Sequence, residues 1–172
     1  MKKILIIFFI GIFQYNFALA NTKIVFIDMD KVISISKPGS FIMDQLKDIN
    51  SKNSNQFKIE AKKLTEQEAK LISQKNILSK DDFQKNIKKL KLEIDNYNNT
   101  RNQINNDFNK LRKDSTNELL KLINPILTDY SNNNSISIIL KKNDLVMGIT
   151  ELDITDEIIQ IINKNIKQFK IQ

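Results

Sequence analysis

The chain has no cysteine and no histidine among its 172 residues. Without thiols there are no disulfides and no thiol catalysis, and the Cys/His ligand sets of structural zinc are ruled out. Without imidazole, the commonest general base near neutral pH is missing. Catalysis would have to rest on carboxylates, Lys, Ser, Thr or Tyr. Glycine and proline are scarce as well, at three and two residues, and neither occurs between Ser40 and Asn124. An uninterrupted stretch of that length, rich in Lys, Gln, Glu and Leu, predicts long helix.

The N-terminus carries a three-part pattern. Met1-Lys2-Lys3 is a positive start, "ILIIFFIGIF" at 4–13 is an apolar run, and Ala18-Leu19-Ala20 is a small-x-small site. That is the layout of a secretory signal peptide cut after Ala20. The rival is a membrane anchor, which needs about 20 apolar residues. Here Gln14 and Asn16 break the run too early, and no Cys follows for lipid attachment. Removing Lys2 and Lys3 from 27 basic residues leaves 25 against 20 acidic ones, a net charge of +5. In an exported chain such an excess points to acidic proteins or a membrane surface rather than to nucleic acid.

Residues 23–29, "KIVFIDM", predict a short strand buried on both faces over 24–27. "SISKPGS" at 34–40 predicts a loop, with Pro38-Gly39 as the breaker. Beyond it, Phe83, Ile87, Leu90, Ile94, Tyr97, Arg101, Ile104, Phe108 and Leu111 follow a strict 4-3 rhythm, the a/d seam of a coiled coil. Phe57, Ala61, Leu64, Glu68, Leu71, Lys75 and Leu78 repeat it less cleanly, and Ile42, Leu46 and Ile49 share the stripe in a shifted phase. Between the two repeats, Ser79 followed by Asp82 reads as an N-cap with a carboxylate in the first turn. Two seams separated by a cap predict an antiparallel helical hairpin with arms of about 55 Å; one continuous helix is the alternative. Pro125 is expected to kink or restart the returning helix. "SNNNS" at 131–135 predicts a turn, and "ISIIL" (136–140) and "LVMGI" (145–149) a β-hairpin closed by "KKND". The final segment, with Asp153 and Thr155 as candidate caps, predicts an amphipathic helix running to the end.

The expected fold class is therefore α+β: a small β-sheet body interrupted by a long antiparallel coiled-coil helical hairpin. The division is 1–20 signal peptide, 21–40 and 128–172 body and oligomerisation domain, and 41–127 arm with its tip near 76–82. Three short strands and one helix leave open sheet edges, which predicts an oligomer. Ile24, Phe26, Ile136, Ile138, Leu140 and Val146 are the strand residues expected to form it.

"IVFIDMDKV" at 24–32 ends in D-x-D, the nucleophile motif of haloacid-dehalogenase-type phosphatases. In that family Gly and then Thr or Val usually follow the second Asp, whereas Lys31 and Val32 follow Asp30 here. No crossover strand follows for over a hundred residues, so the doubly wound sheet is missing too. Asp28 and Asp30 are expected to end the strand in solvent, and no enzyme activity, cofactor or metal is expected.

The same stretch fits another pattern. An apolar strand ending "D-M-D-K-V", a "S-x-x-G" loop into a long hairpin, and a last helix entered by Asp153-Ile154-Thr155-Asp156 resemble the OmpH/Skp family of periplasmic chaperones. The resemblance implies a jellyfish-like homotrimer in the periplasm whose arms enclose a cavity. It implies an ATP-independent holdase that keeps unfolded outer-membrane β-barrel proteins from aggregating. The competing class is a structural coiled-coil adaptor or spacer of the cell envelope with a folded partner.

Within 70–91, Lys70, Lys75, Lys80, Lys85, Lys88, Lys89 and Lys91 face only Asp81 and Asp82, a net charge of +5 at the arm tip. Such a patch would attract acidic clients, anionic lipid or lipopolysaccharide, or serve simply as a solvated face. Apolar residues beside the seam, Ile59, Ile77 and Leu92, are the expected client contacts. "IDNYNNTRNQINNDFN" at 94–109 holds seven Asn, weak helix formers, so this section of the arm is expected to be soft.

Overall fold

The computed structural model describes residues 22–171. The expected signal segment, 1–20, lies outside the described residues. The order is β1 (Lys23–Ile27), α1 (Met29–Ile35), α2 (Lys37–Ser73), α3 (Lys80–Asn133), β2 (Ile136–Lys141) and α4 (Thr155–Asn165). The molecule is mostly helical, with two long helices forming a hairpin against a small two-stranded sheet.

Several local expectations need correction. The chain leaves β1 at Ile27 and turns at once into α1, because the Asp28 carboxylate accepts the Lys31 N–H at 2.8 Å and caps the helix. Asp28 is half-buried rather than free in solvent. Pro38-Gly39 opens α2 instead of forming a loop. Ser36 is the N-cap, and Pro38 stands in the first turn, where no N–H is needed. Gly39 is required there by close approach, since a Cβ would meet the Ile33 carbonyl oxygen at 1.8 Å. Pro125 sits inside α3 without ending it, on an exposed face where water can take the carbonyl it leaves unbonded. Residues 131–133 then continue α3, and the chain reverses at Asn134 and Ser135, the latter at φ 54°.

The sheet needs correction as well. β2 pairs with β1 in parallel, Ile24 opposite Ile138 and Phe26 opposite Leu140, so the helical hairpin is the crossover between two parallel strands. No hairpin partner follows β2. "KND" at 142–144 tightens into a 3-10 turn, and residues 145–149 form no strand. They cross the Phe26 ring instead; a Cβ on Gly148 would lie 2.5 Å from Phe26 Cε1. Val146 is consequently fully exposed and belongs to no strand. On its other side β1 bridges Asp153, with the Ile154 N–H donating to the Phe26 carbonyl at 3.0 Å.

The core sits where all elements meet. Val25 and Ile27 from β1, Val32 from α1, Ile42 and Leu46 from the root of α2, Leu119 and Ile123 from α3, and Ile158 and Ile162 from α4 are buried together. Strand alternation explains the choice: Val25 and Ile27 turn inward, while Ile24 is exposed rather than buried on both faces. The last helix stops at Asn165 and does not reach the end.

Candidate functional site

Two surfaces have the chemistry of a site, the long arm and the outer face of the sheet. The arm follows from the two heptad stripes. On α3, Phe83, Leu90, Ile94, Tyr97, Ile104, Phe108 and Leu111 are half-buried against α2, while Ile87 is 38% exposed. Arg101 keeps the rhythm but lies at the surface, its Cζ 6.0 Å from the centre of the Phe57 ring. Phe57 also meets Tyr97 edge-on at 6.5 Å, and the Tyr97 hydroxyl donates to the Phe57 carbonyl at 3.4 Å. On α2 and the turn that follows it the inward stripe is Phe57, Ala61, Leu64, Gln67, Leu71, Gln74 and Leu78. Glu68 and Lys75, assigned to the seam by rhythm, are exposed one residue further along. Gln67 adjoins clefts of about 250 and 210 Å³ between the helices, and its buried Oε1 finds no protein partner.

The seam is thin. From residue 47 to residue 114 no side chain is fully buried. Two helices alone cannot enclose each other's apolar stripe. Beside the seam, Ile59, Ile77 and Leu92 are 63–80% exposed, and Ile72, at 63%, joins them. Sequence reading missed Ile72 because it stands next to a seam residue and looks like part of it. At the tip the helices are joined by residues 74–79, and Ser79 accepts the Asp82 N–H at 3.1 Å as the cap of α3. All seven tip lysines are exposed; among the described residues only Lys89 meets a carboxylate, Glu93 at 3.9 Å.

The body is held by polar ties between its first and last segments. The Asp28 N–H donates to Thr155 Oγ1 at 2.9 Å, and that buried hydroxyl in turn donates to Asp153. Lys142 pairs with Asp153 at 2.8 Å and covers the Phe26 ring at 5.8 Å, and Lys31 pairs with Asp156 at 2.6 Å. Burial raises the Asp153 pKa, but bonds from Lys142 and Thr155 outweigh it and hold the carboxyl below its ordinary value. Burial and a hydrogen bond to Glu157 push the Tyr130 hydroxyl up to about 12. Asp30 accepts from the Asn143 amide at 2.8 Å. The D-x-D pair thus consists of a helix cap and a loop tie. Among the described residues no group of three or more carboxylates, His or Cys is placed to hold a metal.

Of the strand residues expected to assemble, Phe26 and Ile136 are buried within the protomer. Ile24, Ile138 and Leu140 are 39–45% exposed and line one face of the sheet. Among the described residues no helix is long and apolar enough to cross a membrane.

Body and arm together define an α+β protein that carries one long coiled-coil hairpin from a small packed base. The chain belongs to the OmpH-like outer membrane protein family, whose model matches residues 23–162. A solved structure from Caulobacter crescentus CB15, described as a candidate OmpH-like outer membrane chaperone, shares the fold with a TM-score of 0.79. It is 13% identical, and the match covers 88% of this chain and 89% of that one. Among curated proteins no match is found. Membership of this family supports a chaperone role.

Proposed function

We propose that the protein is an ATP-independent periplasmic holdase that keeps unfolded outer-membrane β-barrel proteins from aggregating. The observation that carries it is the thin arm, which buries no side chain between residues 47 and 114 yet spaces Ile59, Ile72, Ile77 and Leu92 along its length. Distributed, adaptable apolar contacts suit a chain with no fixed shape better than one pocket does. The export pattern at 1–20, cut after Ala20, would deliver the chain to the periplasm.

A single arm encloses nothing. The exposed Ile24, Ile138 and Leu140 face supplies a surface on which copies can join, and a homotrimer would set three arms around a cavity. Residues 41–127 then serve as arm, and 21–40 with 128–172 as the joining body. The lysines at the tip would attract acidic client segments or an anionic lipid or lipopolysaccharide surface over the screening length of about 8–10 Å.

The test is light scattering while a urea-denatured β-barrel protein is diluted into residues 21–172. Suppressed scattering near one oligomer per client, without nucleotide, is the expected result. Unchanged aggregation across a wide excess would overturn the proposal and favour a spacer or adaptor with a folded envelope partner.

A further inference from the structure

The last described segment lies beyond the family match, which stops at residue 162. After α4 ends at Asn165 the chain continues without helix to Ile171, strapped across the root of α2. Gln45 donates from Nε2 to the Phe169 carbonyl at 3.2 Å, and its Oε1 accepts the Ile171 N–H at 3.3 Å. One side-chain amide thereby bonds the backbone on both sides of residue 170, much as a neighbouring strand would. Gln168 adds a bond to the Lys37 carbonyl at 3.4 Å.

Over 169–171 the side chains alternate: Phe169 and Ile171 are half-buried against the core and Lys170 points to solvent, while before them Lys167 and Gln168 are both exposed and Ile166 is half-buried. An open groove of about 440 Å³ runs along the seat's α3 side, bordered by Leu122, Ile126, Ile166 and Phe169 together with Glu118, Lys167 and Gln168. Phe169 and Ile171 are only partly covered, so the tail is held by backbone bonds and partial apolar contact. A seat that grips backbone and accepts alternate apolar side chains is not specific to one sequence.

Transmembrane β-barrel strands carry this alternation, apolar outward and polar inward. We propose that the seat at the root of the arm binds extended segments of unfolded β-barrel chains, and that the tail is its resident occupant, displaced when a client enters. The inference rests on the holdase reading and adds a defined entry site to it.

The first test uses the full chain from Asn21. Lys37→Cys with Gln168→Cys, bridged by a short bismaleimide, fixes the tail in place; the chain has no other cysteine. The bridged protein is expected to lose at least about fivefold in client protection at limiting ratios, while the unbridged double variant keeps it. The second test measures fluorescence anisotropy of a labelled peptide of sequence NIKQFKIQ. An intramolecular tail competes at an effective concentration on the order of mM. Loosening it with Phe169→Ser and Ile171→Ser should therefore tighten peptide binding at least tenfold, and adding Gln45→Ala should cancel that gain. Urea-diluted β-barrel protein should compete the peptide off.

Full protection by the bridged chain overturns the proposal, and this arm does not depend on the Ser variants folding. Saturable peptide binding that no client competes away also overturns it, leaving the seat a dock for the tail alone. If the unmodified chain protects no client, it is the holdase reading that fails, and the entry site falls with it.

Discussion

At the base, where the roots of the long helices meet β1 and α4, Leu119, Ile123, Ile158 and Ile162 are completely buried, whereas further out in the arm no side chain between residues 47 and 114 is. Both regions are rich in Ile, Leu and Lys, so composition does not make the difference. In the body, six elements converge from distant parts of the chain, and cross-chain bonds such as Asp28–Thr155 and Lys142–Asp153 fix their register. In the arm, two helices of about 55 Å and 80 Å meet along one stripe, and length is what the sequence delivers. A long helix pair with half-covered contacts draws much of its stability from the packed base it grows out of. A well-buried base and a thinly packed arm would suit the proposed holdase.

The largest expected effect contrasts equal truncations in the two regions. Ile158→Ala, at a fully buried position, should cost about 2–5 kcal/mol. Ile94→Ala, half-buried in the seam, should cost about 1 kcal/mol from its smaller covered area. Urea unfolding followed by circular dichroism reads both. Equal losses would abolish the contrast between body and arm.

A smaller effect concerns the ties. Because the folded pKa of Asp153 lies below its ordinary value, its contribution is present above about pH 3.9 and is lost as pH falls through the lowered value. Asp153→Asn should cost about 1.5–3 kcal/mol at pH 7, the range for hydrogen bonds to a charged group. The penalty should shrink progressively below pH 4, as the pH falls towards the lowered pKa of the folded wild type. Urea midpoints at pH 7 and pH 3 test it, and an undiminished penalty at pH 3 would remove the ionised carboxylate from the account. Tyr130 supplies the alkaline counterpart. Its folded pKa is raised to about 12, so its share of stability is full below about pH 10 and fades towards pH 12. Tyr130→Phe should flatten that decline in the same assay.

The arm was legible in the sequence because heptad spacing and the Ser79 cap are local signals, and the hairpin appears where they place it. The body was less so, for physical reasons that show at single residues. "LVMGI" has the composition of a strand, but Gly148 lies against the Phe26 ring, a contact across more than a hundred residues that no local rhythm reports. Pro38-Gly39 has turn chemistry and also the chemistry of a helix start, and only the Ser36 cap and the approach of Ile33 decide between them. On α2 the inward stripe takes a 3-3 step from Ala61 through Leu64 to Gln67, which sets Gln67 and Gln74 in the seam where an unbroken 4-3 count puts Glu68 and Lys75. The Gln45 clamp on the tail had no sequence signal at all.

The smallest effect lies within the arm itself. Residues 94–109 are regular helix in α3, yet they hold seven Asn, each weaker than Ala by up to about 0.7 kcal/mol in helix propensity. The seam side chains Ile94, Tyr97, Ile104 and Phe108 keep the pairing, while the exposed face gives the helix little support. Local opening should therefore be easier here than on either side. Simple fraying from the tip would give protection rising steadily from residue 84 to residue 121. A soft section would instead give a dip, with amides in 94–109 exchanging faster than those in 84–93 despite lying nearer the base. Replacing the exposed Asn98, Asn99 and Asn106 by Ala should fill the dip several-fold without touching the seam. Protection that rises smoothly through 94–109, unmoved by those changes, would mean that the arm yields at its tip alone, and its opening would then be set by distance from the body rather than by composition.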